Sequence, residues 1–316
     1  MYEKFYGFKE KPFNITPDPK FVYLSETHKE ALAHLRYAIR EEKGFSVITG
    51  EVGTGKTTLV YTLLNKIDGN VRTSYLFNPV MAPDDFLNYI CEDLGLKSDG
   101  VRSHGQNLSA LHNFLLRCYI ENDRVFLIID EAQSLDAKLL EEVRLLTNLE
   151  TSTNKLLHVI LLGQPELNKT LSDERFRALK QRVTVRYDLS TLNFAETKEY
   201  VLHRLKKAGA RNLSVFDESA MKEIYKYSKG IPRVINIVCD NALITGFSKE
   251  QSQIGKPIIK EIIKDLEGSG AIKKRRLLPV LLIVLVPLLC VLFVIYWLLI
   301  NHADFWNYLR IFKIRA

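Results

Sequence analysis

Residues 50–57 read Gly-Glu-Val-Gly-Thr-Gly-Lys-Thr, the pattern G-x-x-x-x-G-K-[ST]. This pattern dictates structure on both of its sides. An apolar strand pattern, Phe45 to Ile48, runs into it, and a helical pattern, Leu59 to Ile67, leaves it. A strand, a glycine-rich loop and a helix in that order form a phosphate cradle. Gly50, Gly53 and Gly55 let the backbone bend so that successive N–H groups converge on phosphate oxygens. The expected cofactor-binding set is Gly50, Glu51, Val52, Gly53, Thr54, Gly55, Lys56, Thr57, Thr58 and Asp130. Within it Lys56 reaches the β- and γ-phosphates, and the Thr57 hydroxyl ligates Mg²⁺.

The partner half of such a site lies further on. Val125 to Ile129 is a continuous apolar run that ends in Asp130 and Glu131. Continuous apolar runs suit strands buried on both faces of a parallel sheet. Acids at the carboxyl end of such a strand stand where ligands bind in open α/β sheets. Asp130 is expected to hold Mg²⁺ beside Thr57, and Glu131 to act as general base on the attacking water. ATP and Mg²⁺ are the implied cofactors.

The net charge of +7 invites a nucleic-acid reading, but its distribution argues against one. The segment from Glu267 onward carries seven basic and two acidic residues, which leaves only +2 on the rest. The excess therefore flanks a hydrophobic stretch and does not mark a DNA groove, so nucleic acid is not an expected partner. Cys91, Cys118, Cys239 and Cys290 are scattered, with no C-x-x-C, which suggests neither zinc nor a disulfide framework. Residues 1–20 are charged and proline-containing, unlike a secretory signal.

Leu277 to Ile300 holds 24 residues without a charge, long enough to cross a bilayer as a helix. Tyr296 and Trp297 stand near its far end, as interface aromatics do. Pro287 lies in its interior, which keeps a re-entrant hairpin as the alternative. Lys273-Lys-Arg-Arg276 abuts the near end, and the need for cytosolic ATP places the N-terminal body inside.

Strand patterns at 45–50, 72–77, 125–130, 157–163 and 183–189 alternate with helical ones, which implies a parallel sheet. From Phe194 the pattern is all-helical, at 195–208, 217–228, 232–247 and 257–266. The expected organisation is a lead-in at 1–44, an α/β ATPase core at 45–190 and a helical lid at 191–267. A basic linker at 268–276, a single transmembrane helix at 277–300 and a short tail at 301–316 follow. The fold class is α/β, a P-loop NTPase core with a parallel sheet, a helical lid subdomain and one C-terminal transmembrane helix.

The motifs taken together resemble the ExeA/GspA-type secretion ATPases of the AAA+ superfamily, with their relatives in pilus and exopolysaccharide systems. The resemblance rests on Gly50–Thr57, Asp130-Glu131-Ala-Gln133 and Leu161-Leu-Gly-Gln164-Pro-Glu166-Leu167. It extends to Phe5-Tyr-Gly-Phe8, Pro12-Phe13 and Thr16-Pro-Asp-Pro19 in the lead-in, and to Gly230-Ile-Pro-Arg233 in the helical region. It covers roughly residues 1–266. The resemblance implies Gln164 as the sensor-1 polar residue and Arg233 as sensor 2. It implies Arg182 as an arginine finger acting on a neighbouring subunit, with Arg175 and Arg177 competing for that role. Phe13 and Ile15 are candidates to line the adenine pocket. The family pattern further implies a homo-oligomer, a bacterial inner-membrane location with the ATPase domain in the cytoplasm, and an envelope-assembly partner protein. ExeA-type proteins carry a peptidoglycan-binding domain after the membrane segment. Only about 16 residues follow Ile300, so cell-wall binding by this chain is not expected.

The function implied is a membrane-anchored ATPase that drives or regulates assembly of a secretion, pilus or polysaccharide-export system. The alternative is a DNA-transaction ATPase of the transposition or replication-loader type, which the low charge of the body disfavours. A two-domain helicase would need a second RecA-like domain that residues 190–266 cannot supply. A scaffold that barely hydrolyses is disfavoured by Glu131.

Overall fold

This computed structural model describes residues 1–16, 18–41, 43–67, 70–96 and 102–270. In chain order the elements are α1 (Tyr2–Tyr6), α2 (Glu26–Arg40), β1 (Phe45–Gly50), α3 (Lys56–Leu64), β2 (Val71–Leu76), α4 (Pro83–Asp93), α5 (His104–Ile120) and β3 (Arg124–Ile129). There follow α6 (Ala137–Leu146), β4 (His158–Gly163), α7 (Glu166–Ser172), α8 (Arg177–Arg182), β5 (Val185–Leu189), α9 (Phe194–Lys207), α10 (Glu218–Ser228), α11 (Pro232–Ser248) and α12 (Lys256–Gly270). Residues 1–262 form one compact unit; what is described of the second unit is the end of α12.

The five strands form one parallel sheet in the order β2-β3-β4-β1-β5. Strand side chains alternate between its two faces, as the pleat requires. Val125, Leu127 and Ile129 of β3, with Val159 and Leu161 of β4, enter the core under α4, α5 and α6. Phe126, Ile128, Ile160 and Leu162 point the other way, into the core under α2 and α3. Both faces are covered, so the strands read as unbroken apolar runs.

Register positions the site. Ile129 pairs with Leu161, and Gly163 with Thr49, so β3, β4 and β1 finish close together at one edge. The residues just past them are Asp130–Glu131, Gln164 and the loop leaving Gly50. The chain order alone does not reveal this adjacency, because β2 is the far edge strand and β4 is inserted beside β1.

The lead-in does not stand apart from the lid. Tyr2 Oη donates to the Asp240 carboxylate and Tyr6 Oη to the Gln251 carbonyl, while Phe5 packs edge-on against Phe247. The anchors therefore belong to α11 and the turn after it. Gly230 shows how tightly the helical region packs on the segment that leaves β5. It has a positive φ of 76°, and a Cβ there would lie 1.8 Å from the Leu192 carbonyl oxygen. Only glycine tolerates both conditions.

Two expectations meet the structure differently. Gly268-Ser-Gly270, within the linker expected at 268–276, continues α12 instead. Each glycine costs only about 1 kcal/mol in a helix, which a preceding amphipathic helix can absorb. The membrane segment and tail at 277–316 lie outside the described residues. Among the described residues no helix is long and apolar enough to cross a membrane.

One buried titratable group yields a pH prediction. His158 is 7% exposed, and its ring stacks on Phe126. Burial, aided by the nearby charge of Arg124, pushes its pKa down to about 4. The unfolded chain takes up that proton near pH 6.5 and the folded one does not. The associated stability is present above about pH 6.5 and is lost as pH falls through about 4. Between about pH 7 and about pH 4, wild type should lose about 3 kcal/mol more than His158→Phe in denaturant titrations. Parallel pH profiles would refute this.

Candidate functional site

The carboxyl edge of the sheet opens into a cavity of about 530 Å³. Val52 to Thr58, Asp130, Glu131 and Arg233 line it, together with lead-in residues Asn14 to Thr16 and Phe21 to Tyr23. Lys56 begins α3, and the loop before it presents its amides at a helix N-terminus. Lys56 Nζ donates to the carbonyls of Gly50 (2.8 Å) and Glu51 (3.0 Å). Burial lowers its pKa, while the Asp130 and Glu131 carboxylates act in the opposite direction.

Thr57 Oγ1 donates to Asp130 Oδ2 at 2.8 Å. The predicted metal pair is therefore in contact across the join between α3 and β3. A hydroxyl beside a carboxylate is a hard oxygen donor set, and it fits Mg²⁺, which takes few protein ligands and keeps phosphate and water oxygens. Tyr75, which sequence reasoning missed, donates its hydroxyl to the same Asp130 oxygen at 2.8 Å. It stacks on Tyr61 with ring planes 6° apart. Burial, with the Asp130 charge, raises the Tyr75 pKa, so its proton stays available to Asp130.

Glu131 adopts φ 51°, the left-handed region that costs a non-glycine residue about 1 kcal/mol. Its carboxylate accepts from Gln133 Nε2 (2.5 Å) and Gln164 Nε2 (3.2 Å). Gln133 Oε1 in turn accepts from the Gln164 backbone N–H at 3.0 Å. Gln164 thus reaches Glu131 from the end of β4 and is itself held by Gln133. Gln133 carried no assigned role in the sequence, although it stands within the Asp-Glu-Ala-Gln motif.

Arg233 sits in the first turn of α11. Its backbone N–H donates to the Gly53 carbonyl at 3.3 Å. Gly53 has φ 82°, and a Cβ there would lie 2.6 Å from Arg233 Cβ. That contact brings the lid against the loop. Arg182 lies elsewhere and does not line the cavity. Its Nη1 donates to the Arg144 carbonyl (3.1 Å) and to Thr147 Oγ1 (2.8 Å), at the end of α6. Arg175 is paired with Asp173, and Arg177 is exposed with no ion pair among the described residues. Of the two adenine-pocket candidates, Ile15 lines the cavity. Phe13 is fully buried instead, edge-on to Phe216.

His28 was also missed. Its Nε2–H donates to the Thr54 carbonyl (3.0 Å), and its Nδ1 accepts from Ser25 Oγ (2.6 Å). Burial lowers its pKa, which favours this neutral form. Ser25 also caps α2, so one hydrogen-bonded chain ties the lead-in helix to the phosphate loop. A lone histidine three residues after a capping serine gave no signal of this in the sequence.

The chain is similar to known proteins in sequence and in fold. The AAA domain family matches residues 39–171. General secretion pathway protein A of Aeromonas hydrophila is 41% identical over 254 residues, 80% of this chain and 46% of that protein. The match thus spans less than half of the relative's length. The Aeropyrum pernix ORC2 protein, solved in its ADPNP-ADP complexes, superposes with a TM-score of 0.62 at 18% identity, over 82% of this chain and 72% of that one. Cdc6p from Pyrobaculum aerophilum gives 0.61 at 15% identity, over 79% and 71%. The Thermotoga maritima RuvB Holliday junction branch migration motor gives 0.52 at 18%, over 77% and 69%. At these identities the likeness concerns the fold alone. With its parallel sheet, the AAA-domain match and 41% identity over 80% of its length, the chain has the AAA+ P-loop fold and is similar to general secretion pathway protein A.

Proposed function

We propose that this chain hydrolyses ATP to drive or regulate assembly of a bacterial envelope secretion, pilus or polysaccharide-export system. The observation that carries the reading is the convergence of Lys56, the Thr57–Asp130 pair and the Glu131–Gln164 pair at one sheet edge. Lys56 exchanges its loop carbonyls for phosphate oxygens. Thr57 and Asp130 would hold Mg²⁺, which supplies charge neutralisation at the phosphates. Glu131 accepts the proton of the attacking water, and Gln164 and Gln133 keep its carboxylate aimed. Arg233 reaches from the lid toward the same phosphates. In this reading the body faces the cytoplasm and 277–300 anchors it as a single pass in the inner membrane. An envelope-assembly protein is its partner.

The proposal includes a homo-oligomer in which Arg182 completes a neighbour's site. Arg182 must then leave Arg144 and Thr147 on assembly. The test is Mg²⁺-dependent ATP turnover by the purified chain across a concentration series. Specific activity should rise with concentration, and Arg182→Ala should lower it by about 10³-fold with little change in ATP affinity. Mixing Arg182→Ala with Lys56→Ala subunits should restore part of it, because some interfaces then pair an intact loop with an intact finger. Concentration-independent turnover without rescue would confine Arg182 to bracing α6. An Arg177→Ala loss of the same size would transfer the finger to Arg177.

A further inference from the structure

One wall of the cavity holds a hydrogen-bond chain that the reaction above does not use. Arg204 is 7% exposed on α9. Its Nε donates to the Pro12 carbonyl (2.5 Å), its Nη2 to the Asn14 carbonyl (3.1 Å) and its Nη1 to Tyr200 Oη (3.0 Å). Tyr200, 6% exposed, lies 2.9 Å from Asn236 Oδ1. The direction of this chain is forced. A guanidinium has no acceptor, so Tyr200 Oη accepts from Arg204. Its own proton must then go to Asn236 Oδ1, or it would be buried without a partner. The Asn236 amide is therefore locked with its oxygen toward Tyr200 and its nitrogen turned away.

That nitrogen is the point of interest. Asn236 is 6% exposed and lines the cavity. Its Nδ2 bonds no other described group, yet it is not sealed from the cavity as the buried orphan atoms are. Asn236 follows Arg233 by one turn of α11, about 5 Å along the helix from the residue that meets Gly53. Ile15, Val22, Leu192 and Pro232 give this cavity apolar lining that suits a flat aromatic ring. An amide nitrogen is donor-only, so it can be satisfied only by an acceptor on the ligand.

We propose that Asn236 Nδ2 donates to an acceptor ring nitrogen of the nucleobase, which makes Asn236 a base-recognition residue for purine nucleotides. The inference rests on the nucleotide-binding reading and deepens it. Arg204 has a double part. The guanidinium that sets the polarity of the chain also grips the Pro12 and Asn14 carbonyls, so base recognition and docking of the lead-in share one side chain.

The test measures binding of ATP and of its three single-nitrogen deaza analogues to the purified chain and to Asn236→Asp. The aspartate keeps an acceptor for Tyr200 and removes the donor. Wild type should bind one analogue about 5- to 10-fold more weakly than ATP, the effect of one hydrogen bond. Asn236→Asp should bind ATP and that analogue alike. Asn236→Ala should give the same levelling, which separates loss of the donor from the added charge. Thermal melting without nucleotide checks that each variant is folded. Equal binding of all analogues by wild type would overturn the inference, as would an unchanged preference in both variants. If 2′- or 3′-deoxy-ATP shows the preference that Asn236→Asp abolishes, the donor reads the sugar and the inference fails. No ATP binding by wild type would sink the nucleotide reading and this inference with it. Intact ATP binding with an unaltered analogue pattern would sink the inference alone.

Discussion

Lys56→Ala should weaken ATP binding by about 10- to 100-fold and remove turnover. Its ammonium lies within hydrogen-bond reach of the loop backbone, and one charged hydrogen bond is worth about 1.5–3 kcal/mol. In this structure the ammonium bonds the Gly50 and Glu51 carbonyls, so it is already drawn into the cradle before phosphate replaces them. The loop itself should survive the change. Arg233 N–H holds the Gly53 carbonyl and His28 holds the Thr54 carbonyl, and neither contact involves Lys56. Titration with a fluorescent ATP analogue, alongside a melting curve, separates lost binding from lost fold. Wild-type affinity in a folded Lys56→Ala chain would remove the phosphate-loop assignment.

Glu131→Gln should do the converse. ATP should bind within about twofold of wild type while kcat falls by about 10²- to 10⁴-fold, the range of a lost general base. The exchange is nearly isosteric, and its remaining carbonyl oxygen can still accept from Gln133 or Gln164. Its amide cannot take a proton from water. A fall in kcat with unchanged binding identifies an interaction made in the transition state. Equal turnover by the two forms would remove Glu131 from the chemistry and leave its left-handed backbone without a catalytic reason.

The two substitutions probe residues that the sequence already marked, and the reason is local. The phosphate loop is contiguous, so its glycines, lysine and threonine are specified by spacing alone. The strand that ends at Asp130 is likewise legible, because full burial on both faces leaves an unbroken apolar run. Strand boundaries shift by only one or two residues: β2 begins at Val71 and β5 at Val185. The helices of the lid follow the same logic of apolar periodicity and caps, as with the Asn193–Glu196 capping box that starts α9.

Tyr75, Gln133, His28 and Arg204 were not legible. Each acts on a group distant in the chain or on a backbone carbonyl, and neither leaves a pattern. Arg204 reaches Pro12 across 192 positions, and His28 reaches Thr54 across 26. Phe13 and Ile15 illustrate the same gap. They are two residues apart, yet one packs on Phe216 and the other lines the cavity, because the chain turns between α1 and α2 and does not run as a regular strand.

By itself, then, the sequence marked the phosphate end: which loop is proposed to bind nucleotide, which pair is proposed to take the metal and which acid is proposed as base. These follow from contiguous residues whose backbone geometry and side-chain type are sufficient. The tertiary structure decided the rest. It inserted β4 between β3 and β1, so that Gln164 meets Glu131. It folded the lead-in onto α9 and α11, and it locked the Asn236 amide through Tyr200 and Arg204. Strand order and hydrogen-bond direction arise from packing and from satisfying buried polar groups. Those conditions act across the whole compact body and not along the chain.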